Sequence, residues 1–90
     1  MEAEEITWLR TQRHLIRIGV SDEGLAFFEF DDYEVCDAMD DYLIEVLNER
    51  LGGVWFRRLW DNPTATETHQ IIFRDPQIGT SQLQDLLDRI

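Results

Sequence analysis

The chain has 90 residues, of which 43% are hydrophobic and ten are aromatic, and its net charge is −11 at pH 7. This length is typical of one domain, and the apolar content excludes a disordered chain in spite of the charge. So negative a charge also opposes direct binding to nucleic acid or to an anionic membrane surface. We therefore expect a single domain over residues 1–90 that binds neither nucleic acid nor a membrane.

The chain has one cysteine, Cys36, so an internal disulfide is excluded and a reducing compartment is expected. The first residues have neither the basic nor the apolar part of a signal peptide, and no apolar run approaches the roughly 20 residues that cross a bilayer. We predict a soluble, cytoplasmic protein.

The entire net charge originates in residues 22–49, which contain eleven acids and no Arg, Lys or His. In each flank the acids and the arginines are equal in number, and lysine is absent from the whole chain. A field localised in this way attracts basic surfaces. Adaptation to high salt would instead spread the acids over both flanks.

Residues 4–11 are compatible with a strand or a helix. Ile6, Trp8 and Arg10 would lie on one side of a strand, and Thr7, Leu9 and Thr11 on the other. We favour a short extra strand here, with a helical turn as the alternative. Residues 14–20 and 25–30 then alternate as two strands of a hairpin, joined by a turn in which Gly24 takes a positive φ.

Residues 33 to about 51 have apolar side chains at helical spacing, which predicts an amphipathic helix. Asp31 and Asp32 offer N-caps for it, and Gly52-Gly53 is the expected stop. Two further strands follow at residues 54–60 and 67–74, separated by a polar loop at residues 61–66.

A last helix is predicted to begin at Ser81, through a capping box with Gln84. The predicted class is α+β: a small antiparallel sheet with two helices, in the order strand-strand-helix-strand-strand-helix, with the extra N-terminal strand as an option. We expect both helices on one face of the sheet or around one end.

Carboxylates recur at steps of three or four along the outer face of the first predicted helix, about 6 Å apart along its axis for each step of four. A row of this kind imitates the phosphates of a nucleic acid, which are more closely spaced. Acids of the hairpin and of the helix start would widen the row into a patch. The predicted partner-binding residues are Glu34, Asp37, Asp41, Glu45 and Glu49 on the helix, together with Asp31, Asp32, Asp22 and Glu23.

No catalytic or metal site is predicted. His14, His69 and Cys36 lie in three different elements, and a lone cysteine in an amphipathic helix is typical of a small buried apolar residue. No calcium-binding loop is present. Arg57 and Arg58 alternate to opposite faces of their strand, where we expect salt bridges with carboxylates. The protein is thus predicted to be no enzyme and to need no cofactor.

These observations favour a small inhibitor that binds and blocks a basic nucleic-acid-binding surface, in a nuclease or a nucleic-acid-guided complex. In type, the chain resembles the small acidic proteins that phages use against host defences, such as anti-CRISPR proteins, and the immunity proteins that neutralise nuclease toxins. The alternative is a non-catalytic adaptor or a homodimeric structural protein, whose acidic face only confers solubility or salt tolerance. An exposed tryptophan would then mediate the contact.

Overall fold

A computed structural model of the protein describes residues 2–48, 53–61 and 67–90, with only the backbone at residues 60 and 61. The α+β class and the predicted order of strands and helices are confirmed. The elements in chain order are α1 (Ala3–Gln12), a 3-10 turn (Arg13–Leu15), β1 (Arg17–Val20), β2 (Ala26–Phe30), α2 (Tyr33–Leu47), β3 (Trp55–Asp61), β4 (Glu67–Phe73) and α3 (Thr80–Asp88).

The four strands form one antiparallel sheet in the order β1-β2-β4-β3. Phe28 of β2 aligns with Ile18 of β1 on one side and with Ile71 of β4 on the other. Helices α2 and α3 pack on the sheet, and α1 packs against α2. Because α2 connects β2 to β3, the chain passes over the position that β4 later fills between those two strands.

The core lies between the sheet and its helices, and β2 shows the predicted alternation. Phe28 and Phe30 are buried toward the helices, while Phe27 and Glu29 point to the opposite face of the sheet and are half-buried. Phe28 packs edge-on against Phe73 of β4, with ring centroids 6.0 Å apart. The aromatic content of the sequence is therefore used mainly to fill the interior.

The extra N-terminal strand is wrong, because residues 3–12 form helix α1. Two acids in its first turn and Arg10 in its last turn complement the helix dipole. The Thr7 hydroxyl donates to the Ala3 carbonyl one turn earlier, as threonine commonly does in helices. Only Leu9 is fully buried in this helix. A single buried position leaves no helical periodicity for sequence analysis to detect.

The start of strand β1 and the end of helix α2 differ from the predicted positions for local reasons. The first strand begins at Arg17 instead of residue 14, since the 3-10 turn takes up the preceding residues. Helix α2 ends at Leu47, because Asn48 adopts the left-handed conformation with φ of 52°. Asparagine tolerates this conformation better than most residues. The expected stop at Gly52-Gly53 is therefore wrong, although Gly52 itself lies outside the described residues.

The capping box predicted for the last helix is also displaced. Gly79 is the N-cap of α3, and its N–H donates to the Gln82 side chain at 2.9 Å. Ser81, which was expected to open the helix, already lies inside it and donates to the same Gln82 oxygen. The Gln84 side chain instead donates to Asp88 one turn later.

Candidate protein-binding surface

Helix α2 begins on a side-chain cap that uses one of the predicted binding acids. The Asp32 carboxylate accepts from the Glu34 N–H at 2.8 Å and so replaces a hydrogen bond that the helix start lacks. Asp32 is exposed, yet its carboxylate already has a structural role. Its negative charge also suits the positive end of the helix dipole.

Three of the predicted helix acids, Glu34, Asp41 and Glu45, are exposed on α2. Seven and four residues separate them, which corresponds to about 10 and 6 Å along the helix axis. Glu49, the last member of the predicted row, lies outside the described residues. The described part of the row therefore extends over about three turns of the helix.

Asp37, the remaining predicted acid of α2, is in a salt bridge. Its carboxylate accepts from the Arg57 guanidinium at 2.9 Å, and Asp40 accepts from the same nitrogen at 3.4 Å. Burial alone would lower the pKa of Arg57, but the hydrogen bond that it donates to Asp37 and the nearby negative charges raise it overall. This confirms the expected salt bridge of Arg57. Much of the charge of Asp37 is consequently balanced within the chain.

Asp40 also has a structural contact that the sequence pattern did not reveal. Its second oxygen accepts from the Trp55 indole N–H at 2.6 Å, and Trp55 is only 4% exposed. A buried indole needs such an acceptor. Asp40 therefore holds β3 against α2 and belongs to the interior contact of the helix, whereas its neighbour Asp41 faces outward.

Asp41 reports the electrostatic environment of the outer face. Its pKa is raised, first by partial burial and then by the nearby carboxylates of Asp37 and Asp40. A raised carboxyl pKa with like charges among its causes means that the local potential remains negative. The contact with Arg57 thus reduces the negative field at this point without cancelling it.

A groove of about 260 Å³ separates α1 from α2 and adds residues that sequence analysis missed. Glu5 of α1 reaches the same groove as the acids of α2. Sequence counting paired it with nearby arginines, but Arg10 donates to the Ile90 carbonyl and Arg17 binds acids at the sheet. The side chains that line the groove include Glu5, Trp8, Tyr33, Glu34, Asp37 and Asp41. We call Glu5, Glu34, Asp41 and Glu45 the acidic surface.

The hairpin acids lie on a different side of the molecule. Asp22 and Glu23 line a separate groove with Glu29 and Arg58. Glu29 and Arg58 point away from the helices, because they alternate with the buried residues of their strands. The pKa of Glu23 is lowered by hydrogen bonds from its own N–H and from the Ser21 hydroxyl. The structure does not bring these two acids together with those of α2.

Asp31 is likewise engaged in a salt bridge with a residue of the sheet. Arg17 donates to Asp31 at 2.9 Å and to Glu29 at 3.1 Å. The hydrogen bond from Arg17 lowers the pKa of Asp31. Glu29 in turn accepts from the Gln70 amide, which continues this polar network across the centre of the sheet. The widened patch of the sequence analysis is therefore divided between two faces.

Cys36 is one of the three residues with catalytic potential that the sequence contains. Cys36 is buried, as predicted, and burial raises the pKa of its thiol to about 11. A thiol of this kind is a poor nucleophile at neutral pH. Within the described residues, no three His, Cys, Asp or Glu side chains come together as metal ligands.

No helix in the described part of the chain combines the length and the apolar character that a membrane span requires. No protein-family model, curated protein or solved structure matches the chain.

Proposed function

We propose that the acidic surface binds a basic nucleic-acid-binding surface of another protein and blocks it by occupying the place of phosphates. The partner would be a nuclease or a nucleic-acid-guided complex. A phage protein directed against a host defence, such as an anti-CRISPR protein, or an immunity protein against a nuclease toxin would act in this way.

One observation carries the proposal: exposed carboxylates of two helices converge beside one groove, and the potential there stays negative in spite of Arg57. The pKa of Asp41 is raised first by its partial burial and then by the like charges of Asp37 and Asp40, which outweigh the opposing effect of Arg57. Duplex DNA presents a charge about every 1.7 Å along its axis, so the acidic surface is a sparser row of the same sign. A basic cleft that accepts phosphates would attract it.

Binding through such a surface has a recognisable kinetic character. Complementary charges steer the encounter and raise the association rate, which then falls as salt screens the field. The partner's arginine and lysine side chains would lose access to nucleic acid as long as the complex lasts. Inhibition is therefore competitive, and the dissociation rate depends on contacts other than charge.

The test is an affinity capture from bacterial lysate, eluted with a salt gradient and identified by mass spectrometry. The variant Glu34→Gln/Asp41→Asn/Glu45→Gln should lose the captured partner while it keeps its helical circular dichroism signal and a cooperative urea transition. We leave Asp37 unchanged because of its bond to Arg57.

The matched control is Asp22→Asn/Glu67→Gln/Asp85→Asn, which alters three exposed acids elsewhere and has the same net charge of −8. It should retain the partner. Equal loss in both triple variants would mean that total charge matters and that this surface has no special role.

The adaptor or homodimer alternative is favoured by a second groove, of about 270 Å³, at the end of α2 and beside α3. Its lining includes Leu47, Ile78 and Leu86, and Leu47 is exposed. Sedimentation of the purified protein over a range of concentrations tests this candidate. A dimer that Leu47→Glu dissociates would support it over the inhibitor.

A further inference from the structure

We infer that the partner anchors on an exposed strip of aromatic and apolar side chains beside the acidic surface, and that the strip takes an arginine side chain of that partner. The inference rests on the proposed function, since it names the chemistry that the same region recognises. The strip, which we call the aromatic strip, consists of the exposed Trp8, Tyr33 and Leu59 and of the half-buried His69. These residues come from four different elements.

A ring contact, the strand register and a shared groove link the four residues. The rings of Tyr33 and His69 meet edge-to-face with centroids 5.6 Å apart. Leu59 of β3 lies directly opposite His69 of β4 in the strand register. At the other end, Tyr33 and Trp8 line the groove between α2 and α1. The sheet edge is thereby connected to the acidic surface through rings.

Three members of the aromatic strip are exposed although the chain has a well-filled core. Tyr33 is 57%, Leu59 54% and Trp8 37% exposed. Other apolar side chains, Leu15 and Val20 among them, are exposed outside the strip. Exposed apolar patches with a charged rim mark protein interaction sites. Tryptophan and tyrosine are also enriched among the residues that contribute most to binding energy.

The chain itself shows which ligand chemistry suits these rings. The Arg57 guanidinium lies over the Tyr33 ring, 5.3 Å from its centroid, and donates to the Asp37 carboxylate at 2.9 Å. Ring and carboxylate together hold one guanidinium. The groove beside it offers the same two groups again, because Trp8 and Tyr33 stand among the carboxylates of Glu5, Glu34 and Asp41.

The size and the negative charge of the groove favour one basic side chain as its occupant. Its volume of about 260 Å³ is below the roughly 300–1,000 Å³ of sites for drug-sized ligands, and it suits a single long side chain. Arginine fits better than lysine, since a planar guanidinium stacks on rings and bonds carboxylates through two nitrogens at once.

The experiment titrates the ¹⁵N-labelled protein with a hexa-arginine peptide and, separately, with a hexa-lysine peptide at physiological salt. The hexa-arginine peptide should shift the Trp8 indole resonance and leave that of Trp55 in place, because Trp55 is bonded to Asp40 in the interior. In Trp8→Leu/Tyr33→Leu its Kd should rise by about 2- to 5-fold, the usual worth of an exposed cation–π contact. The matched control Trp8→Phe/Tyr33→Phe keeps both rings and should bind as the wild type does.

The outcomes separate this inference from the proposed function. One outcome would overturn the inference alone: both peptides bind equally, the ring variants have no effect, and the acid triple variant loses both peptides. The acidic surface would then bind the partner without the aromatic strip. If the acid triple variant also binds as the wild type does, both proposals fail. A homodimer that Trp8→Leu/Tyr33→Leu dissociates would likewise overturn the inference, since a second copy would cover the strip.

Discussion

Replacement of Asp40 by alanine should destabilise the protein far more than the same replacement at its neighbour Asp41. The two changes alter net charge equally and lie one residue apart on the same helix. However, Asp40 accepts from the buried Trp55 indole at 2.6 Å, while Asp41 is exposed and stands near like charges. The comparison therefore separates a structural acid from one that is available for binding.

The magnitude follows from these contacts. A buried donor left without its acceptor costs about 1–3 kcal/mol, and the weaker contact of Asp40 with Arg57 at 3.4 Å adds at most about 1 kcal/mol. Alanine regains roughly 0.5 kcal/mol of helix propensity. We expect a net loss of about 2 kcal/mol for Asp40→Ala, or roughly 8–16 °C in Tm. For Asp41→Ala we expect no loss, or a gain of about 0.5 kcal/mol.

Urea unfolding followed by circular dichroism measures both values, since this signal does not depend on a tryptophan. Asp40→Asn keeps an oxygen acceptor and should lose about half as much as Asp40→Ala. A double-mutant cycle with Trp55→Phe should give a coupling energy of about 1 kcal/mol or more. Equal stability of Asp40→Ala and Asp41→Ala would refute the division of α2 into structural and exposed acids.

Four further predictions concern the pH dependence of stability at Asp41 and Asp31, the end of helix α2 and the cysteine. Because the pKa of Asp41 is raised in the folded state, its ionisation lowers the stability of the wild type as pH rises through the folded-state pKa. Asp41→Asn should therefore be more stable than the wild type at pH 7 and equally stable below about pH 3.8. The lowered pKa of Asp31 has the opposite effect, because its ionised form stabilises the fold above the unfolded-state pKa and this stabilisation is lost as pH falls through the folded-state pKa. Asp31→Asn should therefore be less stable than the wild type at pH 7, and the difference should vanish in acid. A pH series of urea melts measures both variants. Asn48→Ala, which forces alanine into a left-handed conformation, should cost about 1 kcal/mol in the same assay, whereas Asn48→Gly should cost nothing. Cys36 should react with a thiol reagent only as fast as the protein opens, and rapid labelling of the native state at pH 8 would contradict its burial.

Sequence pattern predicted the elements whose residues face a continuous core. Strand β2 and helix α2 each bury several side chains at a fixed spacing, so their periodicity is visible along the chain. Helix α1 buries only Leu9 and packs on α2 instead of the sheet, so its pattern could not be separated from that of a strand. Local periodicity thus identifies an element in proportion to the side chains that it buries.

The candidate site was harder to predict, because charge balance depends on distance in space and not along the chain. Glu5 seemed balanced by nearby arginines, yet it joins the acids of α2. Arg57 is 20 residues from Asp37 in the sequence and bonds to it directly. The hairpin acid Glu23 seemed to extend the row, but it lies on the other face of the sheet. Which of these charged residues become neighbours depends on how the helices pack against each other and on the sheet.

Competition for the captured partner shows whether the acidic surface and nucleic acid occupy the same place on it. Fluorescence anisotropy would follow a labelled nucleic acid bound to that partner while the protein is added at increasing salt concentration. The wild type should displace the nucleic acid fully, with weaker displacement at higher salt, and Glu34→Gln/Asp41→Asn/Glu45→Gln should displace none. A partner that holds the nucleic acid and the protein at the same time would contradict it.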